Sequence, residues 1–259
     1  MKRLHPAVTV VALSLVAAPL AAQAPWTAVP AFPTACYQDR DQFQAQLAAA
    51  IDANHSALAR QEQINSTLQK GLDSNMAGKQ AAMMAYMQKD QAGFQAYMQD
   101  MAMDPESLQT AMAGRLHRLQ AFQTEFDSLK GKYDAEQKST LDPLAADVRR
   151  MADPGTHGTP AQLASAVAKY NAAYEALCQR WIVQGNFPGF LARFKHYMTE
   201  DYVPGAMRLD AKNQRSLAVM GVNTRDYQST APMDAAGKYM DYTRIVFGLR
   251  PMKPMSTSL

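Results

Sequence analysis

The residues best suited to chemistry in this chain are its methionines. Met76, Met83, Met84, Met87, Met98, Met101, Met103 and Met112 fall within 37 residues. Thioether sulfur is a soft, uncharged ligand that suits copper(I). Met83 and Met87 stand one helical turn apart, as do Met98 and Met101, so sulfurs from successive turns can converge. Met83, Met84, Met87, Met98 and Met101 are thus the candidate metal ligands, with copper ahead of a non-covalent haem held by Met and His. The same spacing describes a buried helical stripe, and methionine also fills irregular cores and adaptable binding surfaces. The stripe is read first as core, which needs no cofactor; copper is the alternative.

The histidines add little. His196 and Glu200 are four apart and would supply half a metal site, or an ordinary pair on a solvated helix face. His157 sits in a Gly-flanked loop, His117 at the edge of an apolar stripe, and His55 beside Ser56, where helical neighbours point apart. Nucleophile elbows, phosphate loops, dinucleotide fingerprints, zinc-protease helices and haem-attachment motifs are all absent. The lack of Glu-x-x-His disfavours a ferritin-like di-iron centre.

Aromatic residues cluster from Tyr170 to Tyr202, with three cations among them. Such a group can line a ligand pocket or pack a core. Arg180, Phe187, Phe190, Arg193, Phe194, Lys195 and Tyr197 form the candidate binding surface, where the cations would orient an anionic group.

The chain has two cysteines, Cys36 and Cys178. An even count in an oxidising compartment predicts a disulfide, here closing a loop of roughly 140 residues. The compartment is read from the N-terminus. Lys2 and Arg3 precede an apolar run from Ala7 to Ala18, then Pro19 and small residues, the order of a secretory signal peptide. Cleavage after Ala22 avoids placing Pro25 beside the scissile bond, as cutting after Ala24 would. A lipid anchor on Cys36 is disfavoured by the Pro-rich stretch between it and the apolar run. Beyond residue 24 no stretch approaches the roughly 18 apolar residues of a membrane helix. Removing Lys2 and Arg3 from 26 basic residues leaves 24 against 23 acidic, with no basic block to grip nucleic acid.

These residues must be positioned by helices. Hydrophobic residues make up 47% of the chain, enough for a real core, and apolar spacings of three and four recur in nearly every segment. Phe43, Leu47, Ile51, Leu58, Leu68 and Leu72 mark one helix; its stripe is interrupted by Asn54, Gln61 and Asn65, read as exposed rather than buried. Asn54 and Asn65 are also glycosylation sequons. A second helix is expected from Gln80 to Met103. Asp104-Pro105-Glu106 starts a third, with Leu116, Leu119, Phe122, Phe126 and Tyr133 on one face; a shorter one comes next, from Asp134 to Met151, restarted or kinked at Pro143.

After the 153–159 loop, Thr159-Pro160 opens another helix. Breaks are expected at Asn186-Phe187-Pro188-Gly189 and at Val203-Pro204-Gly205, and a last helix from Met233 to Leu249. The expected fold is an all-α bundle of about six or seven helices, with three long amphipathic helices first. Its organisation is a signal peptide (1–22), a Pro-rich extended leader (23–35), a long-helix bundle (36–152), the 153–159 boundary, a second helical unit packed on the first (160–250) and a flexible tail (251–259). The expected function is a secreted or periplasmic, non-enzymatic protein that binds another protein or peptide through helix faces. Copper binding is the alternative, and a hydrolase with residues assembled only in the fold is the third.

Overall fold

The computed structural model describes residues 25–33, 36, 40–73, 78–102, 105–156, 158–250 and 254–256. The expected signal peptide, Met76, Met103, Asp104 and His157 lie outside them. Among the described residues the chain is all-α, without strands. The helices are α1 (Arg40–Asp73), α2 (Lys79–Lys89), α3 (Gln91–Met101), α4 (Pro105–Ala152), α5 (Pro160–Cys178), α6 (Asn186–Tyr197), α7 (Val203–Val219) and α8 (Ala231–Gly248). One π-helical turn, Gln179–Val183, extends α5; another, Met198–Tyr202, joins α6 to α7 without a break. The described residues thus form seven continuous helical stretches.

Local chemistry explains most of the boundaries. Thr159 caps α5 through a full capping box with Gln162, and Pro160 occupies the first helical position. The stretch expected as one helix over 80–103 is broken at Asp90, whose backbone is extended and whose carboxylate accepts from the Gly93 N–H at 2.9 Å. Pro143 does not restart a helix: α4 runs through it for 48 residues. The break expected at Val203-Pro204-Gly205 is likewise absent, because the π turn leads into α7 with Pro204 in its first turn. α7 ends in a Schellman motif. Gly221 takes φ +85, its N–H bonds to Ala218 O, and the Val222 N–H reaches Leu217 O, both at 3.0 Å.

α4 packs lengthwise on α5, and α1 on α8. α6 sits against both α4 and α8, while the α2–α3 hairpin leans on α7. One apolar cluster runs from Trp26, Cys36, Phe43 and Leu47 through Phe126 and Tyr133 to Phe187, Phe190, Phe194 and Phe247. Residues on both sides of the 153–159 loop therefore share a core. The leader belongs to it as well. Pro25–Thr27 forms a helical turn, Trp26 is buried against Tyr239, and Phe32 meets Phe43 and Phe247 edge-on. Of the tail, Met255 is tied to Asn171 by two hydrogen bonds.

The three polar interruptions of α1 are not exposed solvent contacts. Asn54 donates to Met233 O at 2.9 Å, buried Gln61 donates to Asp226 O at 2.9 Å, and Asn65 donates to Gln228 O at 2.8 Å. Residues 223–230 have no ladder of their own, and two of these amides, those of Gln61 and Asn65, supply donors to their backbone carbonyls.

Candidate functional site

Cys36 and Cys178 are bonded, with Cα atoms 6.2 Å apart and both residues buried. The bridge ties the leader to the end of α5. The aromatic residues proposed as a binding surface are instead core. Phe187, Phe190 and Phe194 are 0%, 0% and 1% exposed. Phe190 and Phe194 stack on each other at 6.0 Å, and α4 inserts Phe122 and Phe126 against them at 5.2–6.0 Å. This correction has a simple cause: α4 and α8 both pack on α6 and bury its phenylalanine face, while Arg193, Lys195 and His196 stay exposed on the other. The cations around the core are already engaged. Arg180 pairs with Glu136, whose other oxygen accepts from the Trp181 indole at 2.6 Å. Arg193 pairs with Glu125, and the Lys195 ammonium lies over the Trp26 and Tyr239 rings at 5.5 and 5.8 Å.

Two grooves flank the seam where α4 meets α6. In the first, α4 and α7 diverge and leave about 540 Å³ between them. Arg115 and Arg118 line it from α4, Arg208 and Lys212 from α7, with Tyr197 and Asp201 at the junction. Tyr197 is the one member of the expected binding set that reaches this groove. Its hydroxyl donates to Arg115 O at 3.3 Å, and the Arg118 guanidinium lies 5.9 Å over its ring. Burial pushes the Tyr197 phenol above its ordinary pKa, Asp201 adds to this, and Arg118 and Arg115 oppose it. Asp201 stands 3.6 Å from Arg118, and both side chains are more than half exposed, so this pair holds the groove only weakly.

The second groove, about 290 Å³, is mostly apolar. It is lined by Leu119, Phe194, Tyr242 and Ile245, with Gln123, Lys238 and Asp241 at its rim. The Tyr242 hydroxyl donates to Gln123 Oε1 at 2.8 Å. The N-terminal half of α4 runs on beyond this groove with Met112 and Leu116 exposed at 49% and 65%, and Ile245 is exposed at 40% on α8. The α4 stripe is thus core only over its later part, where Phe126 and Tyr133 are buried.

The methionines are not core either. Met84, Met98 and Met101 are exposed, Met83 and Met87 half-buried. The break at Asp90 separates their two helices, and α3 buries Tyr97 instead. The hairpin is held to α7 by Arg215, whose Nε and Nη2 both reach Asp100 Oδ2, at 2.8 and 2.7 Å. His196 and Glu200 are exposed, and among the described residues no three His, Cys, Asp or Glu side chains are placed to hold a metal. No helix among them is long and apolar enough to cross a membrane.

Arg115, Arg208 and Lys212 were not selected from the sequence. A signal existed: Arg115 and Arg118 share a face at i,i+3, and Arg208 and Lys212 share one at i,i+4. That the two faces meet is a tertiary fact. Comparison of the chain with protein-family models, curated proteins and solved structures finds no match.

Proposed function

We propose that this is a secreted or periplasmic, non-enzymatic protein that binds another protein or peptide through its helix faces. The observation that carries the reading is the exposed apolar ridge of Met112 and Leu116 on α4, running into the groove lined by Leu119, Phe194, Tyr242 and Ile245. A helix face that is apolar yet uncovered is the feature of a docking surface, and thioethers let such a surface adapt to its partner. The buried Cys36–Cys178 bridge supports an oxidising compartment. Photo-crosslinking in the native compartment tests the reading. A crosslinking residue at Leu116 should capture a discrete polypeptide, and one at exposed Lys138, about six helical turns further along α4, should not. No adduct at Leu116, or the same adducts at both positions, defeats it.

Copper(I) binding is a second reading, favoured by one observation: Met84, Met98 and Met101 present soft sulfurs to solvent from neighbouring helices. Titration against a copper(I) chelator tests it, with binding lost in the Met84→Leu, Met98→Leu, Met101→Leu triple variant. Equal binding by that variant removes these three residues from the case.

A further inference from the structure

The groove between α4 and α7 concentrates charge in a chain whose formal net charge is only +3. Among the described residues, four cations and one carboxylate, that of Asp201, line it. Arg115 and Arg118 project from one face of α4, Arg208 and Lys212 from one face of α7, and both faces border the same 540 Å³. Arg150, Arg180, Arg193, Arg215 and Arg244 elsewhere each pair with a carboxylate. Arg115 and Arg208 have no acidic partner among the described residues. Arg115 is nonetheless held in place. Its Nε donates to Ala111 O at 3.3 Å, Tyr197 fixes its carbonyl, and its guanidinium lies against α7 at Gly205. A positioned, unpaired guanidinium loses little freedom on meeting an oxyanion, and its planar fork matches a carboxylate in two parallel hydrogen bonds.

We propose that this groove binds an acidic segment of a partner polypeptide, with Arg115 and Arg208 as the forks that take its carboxylates. This deepens the protein-binding reading and rests on it. Three features favour clustered carboxylates. The groove already seats one carboxylate, Asp201 beside Arg118. Its cations recur at about one helical turn, roughly 5–6 Å, close to the roughly 6.6 Å between alternate side chains of an extended peptide. Its lining includes Ala111 and Gly114, whose small size leaves room for a peptide backbone.

The test uses the mature chain and a fluorescent octaglutamate peptide, read by anisotropy at low and raised salt. An octaglutamine peptide controls for charge, and tripolyphosphate serves as the competing oxyanion. Octaglutamate should bind saturably, weaken as salt rises, and outcompete tripolyphosphate. Arg115→Gln with Arg208→Gln should weaken it by about tenfold or more, since two charge-assisted contacts are lost. Arg150→Gln with Arg244→Gln removes the same charge elsewhere and should leave affinity within about twofold. Arg208→Gln alone, an exposed position, gives the readout should the double variant lose its helical circular dichroism. Absence of saturable octaglutamate binding, equal loss in the remote double variant, or preference for tripolyphosphate overturns the proposal. A Leu116 adduct that persists while octaglutamate fails overturns the groove assignment alone; octaglutamate binding without any such adduct upholds the groove and defeats the wider reading.

Discussion

Gln61 shows how a polar residue in an apolar stripe can be structural. It is 8% exposed, and its amide donates both to Asn65 Oδ1 and to Asp226 O. Gln61→Ala should destabilise the protein by about 0.5–1.5 kcal/mol, because it removes the hydrogen bonds that this buried amide makes. Chemical denaturation measures this, and a change under about 0.5 kcal/mol would show that the carbonyl finds water instead. Asn54 and Asn65 work in the same way, so neither sequon offers a free amide. The opposite case is Arg250. The residue is 3% exposed, its guanidinium lies by the Phe32 and Phe247 rings with no hydrogen-bond acceptor among the described residues, and burial together with Arg40 lowers its pKa. Among the described residues, ring contacts are what offsets its cost.

At the scale of the element, junctions decide the geometry. The turn from the first π segment into α6 passes through Gly185, where an added Cβ would lie 1.8 Å from Arg180 O. No side-chain rotation relieves a clash with backbone. Gly185→Ala should therefore cost about 2–4 kcal/mol and move α6 relative to α5. A thermal midpoint equal to wild type would mean that the turn relaxes without strain. The second π segment matters more for the site. It carries Asp201 between Tyr197 and α7, and it replaces a break that Pro204 and Gly205 suggest. A π turn widens the helix locally and shifts the phase of the helical residues after it, a device often found at functional sites.

At the scale of the molecule, one core and one covalent bridge unite the chain. The Cys36–Cys178 separation is 142 residues, for which chain entropy gives an upper figure of about 5 kcal/mol. Cys36→Ser with Cys178→Ser should lose about 2–5 kcal/mol on denaturation under oxidising conditions. Unreduced wild type should show no titratable thiol once unfolded, whereas two free thiols there would exclude the bridge. The same core governs alkaline behaviour. Tyr133 is 0% exposed, its hydroxyl donates to Leu249 O, and burial first, then Tyr174, raises its pKa. Tyr202, bonded to Asp234, is raised too, chiefly by burial. These phenols stay protonated in the folded chain at a pH where the unfolded chain, at about 10, ionises. Their stabilising effect is thus complete below about pH 10 and lost as pH rises above it. Phenolate absorbance from the buried tyrosines should appear together with the loss of helical signal. Full ionisation before unfolding would contradict this.

Much of this was legible along the chain. Apolar spacing of three and four specified helices, Thr159-Pro160 specified where one begins, and an even cysteine count pointed to a pair. These are local properties, because a capping box or a heptad-like stripe needs no residue beyond its own helix. What the sequence did not determine is which stripe finds a partner. Phe187, Phe190 and Phe194 are core because α4 and α8 cover their face of α6, while Met98, Met101 and Leu116, with the same spacing, are exposed because nothing among the described residues packs on them. Arg115 and Arg208 lie far apart in the chain and face one groove only because a π turn and a diverging pair of helices bring them there. Periodicity fixes the face of a helix a side chain occupies; only packing decides whether that face meets core, solvent or another charge.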